Sequence, residues 1–375
     1  MEDLPAWLAL HSVKGLGAGT ISRLVRHFGS PQAVQTASAS DLSRHAGISA
    51  ALANRIRQSP DEQTVASIQH EVKAVEQGSF AVLSILDTEY PARLQTIPDP
   101  PPLLYVTGKL DASDQQAIAI VGSRKATPTG CAFTYKLSRE LSTIGFTIVS
   151  GLARGIDKSA HEGALEGMGR TIAVLGCGID QTYPREHQAL RSRIEEQGAV
   201  LTEFPPKAAP HAYHFPQRNR LISGMSLGVV VTEAAENSGS LITAKLALDQ
   251  NREVFAVPGA VTNKMSRGPH LLIKQGAKLV EGIDDILEEL IPQIENAMSE
   301  QWKDRCQATS SSSLELGVAE EALYNQISLE PITLEELLSQ GTSTPSEVMS
   351  LLLSLEMKGV IQQLAGSQYI RSAIR

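Results

Sequence analysis

The spacing of apolar residues divides this 375-residue chain into a helical beginning and a long α/β middle. Up to about residue 66 the pattern is helical. From residue 117 to residue 290, short apolar runs rich in β-branched residues alternate with helical segments, which predicts a parallel, doubly wound sheet covered by helices. Seven runs are the candidate strands: 117–121, 146–149, 171–175, 199–201, 227–231, 253–257 and 278–280.

Two further short strands are predicted before this middle part, at 80–87 and 102–108, on either side of a proline-rich segment at 98–102. We expect both to extend the sheet that follows.

The first sixty residues contain a glycine turn, Gly15-Leu16-Gly17, between two short helices, and Thr20 is expected to open the second helix. Residues 41–56 look like a weaker second copy. This pattern resembles the helix-hairpin-helix used for sequence-independent contact with a nucleic-acid backbone. A structural or protein-contact role explains it equally well.

The end of the chain predicts a linker and a small winged helix. Residues 299–313 are polar and include a serine run at 310–313. Two capping boxes, Thr333 with Glu336 and Thr344 with Glu347, start two helices. Lys358-Gly359 ends the second helix, and residues 360–370 can fold back as a hairpin around 365–367.

The predicted recognition helix of this winged helix, residues 344–357, has two glutamates and neither Arg nor Lys. Recognition helices need cationic or amide groups at phosphates and base edges. We therefore expect this module to contact protein rather than to read a duplex. The predicted domains are 1–66 (helical), 67–290 (sheet), 291–313 (linker) and 314–375 (winged helix).

Composition limits where a polyanion could bind. The net charge is -8 and the isoelectric point is about 5.7, so any nucleic-acid site must be a local patch. The acidic part is the tail: residues 281–375 have 16 acidic and 5 basic residues, whereas residues 1–280 have 25 acidic and 28 basic.

Three cysteines, Cys131, Cys177 and Cys306, have no metal-like spacing and cannot all pair, which favours a reduced, cytoplasmic compartment without disulfides or zinc. The sequence has no pattern typical of a membrane span, so no membrane partner is expected.

Two segments carry the candidate chemistry. Gly122-Ser123-Arg124 follows the first central strand, where a strand-to-helix turn offers backbone N–H groups and a guanidinium to a phosphate. The second segment, residues 215–220, places Arg218, Asn219 and Arg220 beside the ring of Phe215. Cations next to an aromatic ring are typical of proteins that hold a phosphate backbone and stack a base.

Other anion-binding groups follow neighbouring strands, at the edge where open α/β sheets bind ligands. Ser150-Gly151 and Arg154 come after the second central strand, and Ser238-Gly239-Ser240 opens a helix with free N–H groups. A dinucleotide is disfavoured, because the turn Gly176-Cys177-Gly178 lacks the third glycine of the Rossmann fingerprint.

Several blocks in order resemble the DprA family, also called Smf, the DNA-processing proteins of bacterial transformation. The blocks cover about residues 87 to 290 and are Tyr90-Pro91-Ala92-Arg93-Leu94, Asp99-Pro100-Pro101-Pro102-Leu103-Leu104-Tyr105, Gly122-Ser123-Arg124, Ser150-Gly151-Leu152-Ala153-Arg154-Gly155-Ile156-Asp157, Tyr183-Pro184, Phe215-Pro216-Gln217-Arg218-Asn219-Arg220, Ser238-Gly239-Ser240-Leu241-Ile242-Thr243-Ala244 and Val257-Pro258-Gly259.

The resemblance implies an extended Rossmann-like fold that binds single-stranded DNA, protects it, forms a homodimer and loads the RecA recombinase during natural transformation. It implies no catalytic reaction and no cofactor. Arg124 and the segment Arg218 to Arg220 would hold phosphates, Phe215 would stack on a base, and Gly122, Ser150, Gly151 and 238–240 would offer backbone donors.

The resemblance also implies a dimer contact near residues 271–273 and 278–280, although both runs could simply fill the core. One departure concerns the family lysine three residues before the aromatic ring, which is Ala212 here; Lys207, His211 or His214 are candidates to replace it.

Two alternatives from other classes remain open. A nucleotide-processing enzyme, similar to phosphoribohydrolases, would use Glu233 near the glycine-rich helix start at 238–240. We favour Glu233 instead as an anchor for Arg218 or Arg220, since a paired acid fixes the orientation of an arginine. A carrier of a small phosphorylated cofactor is the other alternative. Phe215 among several cations favours a polymer over both.

Overall fold

The computed structural model describes residues 3–294, 317–328, 331–340, 345–357, 360–364 and 368–371. Most of the predicted linker lies outside these residues, as do Cys306, Thr344, Lys358-Gly359 and the hairpin tip at 365–367.

The helices of the described residues follow the predicted order. They are α1 (Leu4–His11), α2 (Ala18–Phe28), α3 (Pro31–Thr36), α4 (Ala39–Ala46), α5 (Ala50–Arg57), α6 (Glu62–Glu76), α7 (Ala92–Gln95), α8 (Pro128–Thr143), α9 (Ile156–Glu166), α10 (Gln188–Gln197), α11 (His214–Gly224), α12 (Gly239–Asp249), α13 (Arg267–Lys274), α14 (Ile283–Ile294), and three C-terminal helices, Val318–Tyr324, Leu334–Gln340 and Pro345–Met357. Short 3-10 turns lie at Ala112–Gln115, Arg185–His187 and Lys264–Ser266.

The strands confirm all nine predicted runs of the central sheet. They are β1 (Ala81–Ser84), β2 (Leu103–Gly108), β3 (Ala117–Val121), β4 (Thr147–Ser150), β5 (Thr171–Val174), β6 (Ala199–Thr202), β7 (Gly228–Val231), β8 (Glu253–Ala256) and β9 (Lys278–Leu279), followed by β10 (Ile332–Thr333), β11 (Ile361–Leu364) and β12 (Gln368–Arg371).

The central sheet has the order β1-β2-β6-β5-β4-β3-β7-β8-β9. Strands β3 to β9 pair in parallel, while β2 is antiparallel to both β6 and β1. The chain moves outward from β3 through β4, β5 and β6, and then returns to the other side of β3 with β7. The order therefore reverses between β3 and β7, which is where open α/β sheets leave a crevice.

Strands β3 to β7 are buried throughout, as expected for parallel strands covered on both faces. One core joins a face of this sheet to the N-terminal helices, and a second core lies between the other face and helices α8, α9 and α14. The sheet is therefore a rigid base for the loops at its edge.

The N-terminal helices pack on the proline-rich segment before β2. Ser22 on α2 donates to the Pro100 carbonyl (2.9 Å), and Arg26 donates to the Gln95 carbonyl (2.9 Å). Gly19 lies so close to Asp99 that an added Cβ would overlap its carboxylate. One side of the N-terminal end of α2 is thus covered by the chain itself, while Gly15 and Gly17 of the glycine turn are exposed.

Two details of the N-terminal prediction change. Helix α2 begins at Ala18 with Gly17 as its N-cap, so Thr20 lies inside the helix and does not open it. Gly17 has the extended backbone of an N-cap residue and provides no side-chain cap, and glycine is one of the residue types accepted at this position. Helix α6 continues through the predicted boundary at residue 66 to Glu76.

The C-terminal module has the predicted winged-helix elements, with a small sheet of order β10-β12-β11. The capping box at Thr333 is present: its hydroxyl accepts from the Glu336 N–H (3.3 Å), and the Glu336 carboxylate accepts from the Thr333 N–H (2.8 Å). Leu337, Leu352, Leu355 and Tyr369 lie in its separate core. Across the described ranges, no helix has both the length and the apolar character to cross a membrane.

Candidate nucleic-acid interface

The crevice between β3 and β7 holds a cavity of about 700 Å³. The loops after these two strands are joined there, since the Ser123 N–H donates to the Glu233 carbonyl (2.6 Å). The cavity brings together nine of the predicted site residues, from three separate parts of the chain: Gly122, Ser123, Arg124, Phe215, Arg218, Asn219, Ser238, Gly239 and Ser240.

Gly122 lets the loop after β3 lie against the start of α9. A Cβ at this position would be 2.5 Å from Ile156 Cγ1 and 2.9 Å from the Glu233 carbonyl oxygen. Both contacts are too short for a real side chain, and one is to backbone, so a larger residue would force the two loops apart. The glycine is needed for the close packing at the floor of the cavity.

Arg124 is an exposed cation at the rim of this cavity. Its Cζ lies over the ring of Phe215, 5.0 Å from the centroid. This is the cation–π geometry that holds a guanidinium at a surface without pairing it to an acid. The guanidinium of Arg124 is therefore an exposed charge beside the cavity, where the sequence predicts a phosphate contact.

Phe215, in the first turn of α11, is half-buried between the backbone of Gly176 and the ring of Tyr183. A Cβ on Gly176 would be 2.8 Å from Phe215 Cδ1, so the ring packs directly on the loop after β5. Tyr183 lies on another side, with 5.5 Å between ring centroids and an angle of 48°. The ring of Phe215 is therefore fixed in place before any ligand arrives.

Arg218 has a different role from Arg124. It is buried and donates to the carbonyls of Gly151 and Val174, at 2.8 Å in the first case. Burial lowers the pKa of its guanidinium to about 10, against the attraction of Asp157. Both carbonyls stand at the carboxyl ends of neighbouring strands, so Arg218 ties the loops after β4 and β5 together beneath the cavity.

Asp157, in the first turn of α9, was not among the predicted site residues. Its carboxylate accepts from the N–H groups of Gly151 (3.2 Å) and Ala153 (3.3 Å). Burial raises the pKa of this carboxyl, and Arg218 opposes the rise. An acid two residues after Gly155, at a helix start, was the sequence signal for such a loop anchor.

The predicted site residues after β4 have two different positions. The hydroxyl of buried Ser150 donates to the Ile120 carbonyl (2.6 Å), so this side chain links β4 to β3. Gly151 and Arg154 line a smaller cavity of about 20 Å³ beside the first one. Arg154 is exposed and paired there with Glu186, at 2.5 Å.

Two predicted cations lie away from both cavities. Arg220, on the opposite side of α11 from Phe215, pairs with Glu203 (2.5 Å) and with Asp99 (3.8 Å), and its side chain is only 14% exposed. Lys207 is exposed in the loop after β6, with Glu71 among its charged neighbours. Neither side chain is placed to meet a phosphate held by Arg124.

The prediction that Glu233 anchors Arg218 or Arg220 is wrong. Glu233 accepts from the N–H and the hydroxyl of Thr127, both at 2.7 Å. A carboxylate is favourable at this position because it meets the free N–H groups at the start of α8. Glu203, not Glu233, takes the role of partner to Arg220.

The helix start at 238–240 is a rigid rim of the cavity. Ser238 is the N-cap of α12 and accepts from the Ser240 N–H (3.3 Å), while Gly239 is exposed. Asn219 on α11 donates to the Gly239 carbonyl (3.3 Å). This bond fixes the distance between the helix that carries Phe215 and the helix start that offers N–H groups.

Ala212, which stands in place of the family lysine, lines the cavity and supplies no charge. His214 is buried and stacks on Phe204, with ring centroids 4.0 Å apart, while His211 is exposed. Within the described ranges, no group of three His, Cys, Asp or Glu side chains could hold a metal ion.

Three family models match the chain. The model for DNA recombination-mediator protein A covers residues 81–291, a SAM-like helix-hairpin-helix tandem covers 8–59, and the DprA winged helix domain covers 307–367. These matches correspond to the three parts of the described architecture.

The chain is also similar to characterised relatives. Protein Smf of Escherichia coli (strain K12) is 40% identical over 291 residues, which are 77% of this chain and 76% of that protein. DNA processing protein DprA of Bacillus subtilis (strain 168) is 41% identical over 242 residues, 64% of this chain and 80% of that one.

Solved structures agree with these similarities. The X-ray structure of DprA from Streptococcus pneumoniae matches 76% of this chain and 97% of its own, with a TM-score of 0.66 and 36% identity. A structure of the Helicobacter pylori protein, which addresses its single-stranded DNA binding mode, matches 57% of this chain and 96% of its own, with a TM-score of 0.51 and 30% identity. The chain belongs to the DprA family of DNA-processing proteins.

Proposed function

We propose that this protein binds single-stranded DNA in the cavity between β3 and β7. The observation that carries the proposal is the pairing of exposed Arg124 with the fixed ring of Phe215 at the mouth of a 700 Å³ cavity. A cation beside an aromatic ring suits the phosphate and the base of one nucleotide. The N–H of exposed Gly239, at the start of α12, would supply a further uncharged donor for the backbone.

The wider role that we propose is recombination mediation. As a homodimer, the protein would protect incoming single strands and load the RecA recombinase onto them during natural transformation. The match to the model for DNA recombination-mediator protein A supports this role. The structure of the Helicobacter pylori relative, which addresses its single-stranded DNA binding mode, supports the binding of a single strand. The phosphate contacts assigned to Gly122, Ser123, Arg124, Arg154, Asn219 and Gly239 are part of the same proposal. The other predicted members, Gly151, Arg218, Ser238 and Ser240, donate within the protein and would shape the site rather than meet a phosphate.

The contacts of Glu233 weigh against an enzyme built on that residue. Both of its carboxylate oxygens face the start of α8, where they accept from Thr127, and Asn263 adds a longer contact at 3.4 Å. A general base or nucleophile must be free to meet its substrate. We therefore propose a binding protein, in which Glu233→Gln changes stability and leaves the ligand specificity unchanged.

Binding of labelled oligonucleotides tests the proposal directly. We expect affinity for a single strand to rise with length from a few to about twenty nucleotides and to exceed that for a duplex or a mononucleotide. Affinity that is independent of length over this range would overturn the single-strand assignment.

Phe215→Ala separates stacking from charge in the same assay. Losing one stacked base costs about 1 to 3 kcal/mol, and the salt dependence should stay unchanged because stacking releases no counterions. Phe215→Trp is the matched variant, which keeps an aromatic face.

The proposed dimer contact is tested at Leu279. This residue lies on the edge strand β9 and is 38% exposed, and Leu271 on α13 is 42% exposed, whereas Leu272 and Val280 are buried. Leu279→Glu should give a folded monomer by light scattering. A dimer that survives this change would place the contact elsewhere.

A further inference from the structure

Tyr183 is an exposed aromatic residue that the proposed function leaves without a role. It follows β5 and is 39% exposed, although large aromatic side chains are usually covered. It lies in direct ring contact with Phe215, with 5.5 Å between the centroids.

Tyr183 stands where the two cavities meet. It lines the large cavity together with Phe215 and Arg124. These three residues also line the smaller cavity, where Arg154 joins them. A strand that runs from the large cavity into the smaller one therefore passes Tyr183.

The two rings differ in how open they are in the free protein. One part of Phe215 packs on Gly176, and Arg124 lies over its face at 5.0 Å. The two rings meet at an angle of 48°, so they cannot both stack on one base. Each ring therefore offers a face to a different ligand group.

From this geometry we propose that Tyr183 is a second base-stacking site, which takes the nucleotide next to the one held by Phe215. Arg154 is the cation that accompanies this second nucleotide, as Arg124 accompanies the first. The inference rests on the proposed function, since it assigns a neighbouring subsite to the same bound strand. It also gives the strand a path, from the rim at 238–240 past Phe215 to Arg154.

The contribution of the ring, and not of the hydroxyl, is what the proposal requires. Tyr183→Phe should bind a single strand as the unchanged protein does. Tyr183→Ala and Tyr183→Leu should both weaken binding roughly ten- to a hundredfold, which corresponds to about one stacked base. Leu keeps an apolar cover over Phe215, so equal losses in both variants separate stacking from mere packing. Tyr213→Ala is the matched control, because Tyr213 is 62% exposed and lines neither cavity.

A 2-aminopurine scan along a short oligonucleotide locates the two stacked bases. In the unchanged protein we expect altered emission at two adjacent positions. Phe215→Ala should remove one of these signals, and Tyr183→Leu should remove the other. An unchanged affinity and an unchanged scan in Tyr183→Leu would overturn the second subsite while leaving the proposed function in place. If the unchanged protein binds no single strand, the proposed function itself fails.

Discussion

The guanidinium of Arg124 lies over the ring of Phe215, with 5.0 Å between Cζ and the ring centroid. The cation and the ring that would share one nucleotide are thus already in contact with each other. A bound base must take the place that Arg124 occupies on the ring, and the displaced guanidinium is then free to follow the phosphate. Binding exchanges one cation–π contact for stacking and an ion pair.

Because, of these two residues, only Arg124 forms an ion pair with the strand, the salt dependence of binding distinguishes the contribution of Arg124 from that of Phe215. Arg124→Ala should weaken single-strand binding by roughly 1 to 3 kcal/mol for any base sequence. It should also make the slope of log affinity against log salt shallower by about 0.7, the value of one single-strand contact. Titrations at four or more salt concentrations measure both effects.

Arg193→Ala is the control for this variant, because Arg193 is exposed on α10 and lines neither cavity. An equal change of slope in both variants would mean that Arg124 acts only through the overall charge.

Arg218→Ala should unfold the protein more easily, in contrast to Arg124→Ala. Removing Arg218 leaves the carbonyls of Gly151 and Val174 without a donor and leaves buried Asp157 without its nearby cation. Breaking such a buried set costs about 3 to 5 kcal/mol. Urea denaturation measures the loss. Stability equal to that of Arg124→Ala would show that the loops hold without this tie.

Glu186→Gln should tighten single-strand binding by less than about tenfold. Glu186 neutralises Arg154 in the free protein, at 2.5 Å, and the pair is exposed on both sides. Since such surface pairs contribute little to stability, the fold should be unaffected. Fluorescence anisotropy measures the change, and the gain should vanish in the background of Arg154→Ala. A gain that persists there would point to general charge and not to Arg154.

The buried position of His161 predicts that the folded protein loses stability in acid. Because the hydroxyl of Thr171 donates to the Ile148 carbonyl (2.7 Å), His161 Nδ1 donates to Thr171 (2.7 Å), and Nε2 is left buried without a partner. Burial lowers the pKa of this imidazole to about 3. The folded protein then keeps His161 neutral while the unfolded chain takes up a proton below pH 6.5.

The sign of the effect follows from this difference. The stability linked to His161 is complete above about pH 6.5 and falls as the pH drops toward 3, by at most about 1.4 kcal/mol per pH unit. Urea denaturation at pH 7 and pH 5 should show a smaller difference for His161→Gln than for the unchanged protein. Equal differences would rule out His161 as the source.

The strands and the sheet edge that carries the cavity followed from sequence because both depend on local patterns. Short β-branched runs mark buried parallel strands, and glycine, serine and arginine after them mark the ligand edge. The partners of Glu233 and Arg220 did not follow, because ion pairing depends on which side of a helix faces which loop. Phe215 and Arg220 are five residues apart on α11, so the same helix turns one toward the cavity and the other toward Glu203.

Asp157 and Tyr183 were missed for a related reason. Cations and small residues are what a phosphate needs, so an acid and an exposed ring in the same segments do not stand out as site residues from the sequence alone. An acid near an anion site looks unfavourable until its contacts with the Gly151 and Ala153 N–H groups are known.

The ion pair between Arg220 and Asp99 connects α11 to the N-terminal helices, because Asp99 also lies against Gly19 of those helices. Helix α11 thus has one side for the ligand and another for the segment on which those helices rest. A homologue that has lost the N-terminal helices should be free to vary at the position of Asp99, but it should still keep an acid at the position of Glu203. Such a pattern in natural sequences would show that α11 itself requires the contact with Glu203, whereas the contact with Asp99 serves the N-terminal helices.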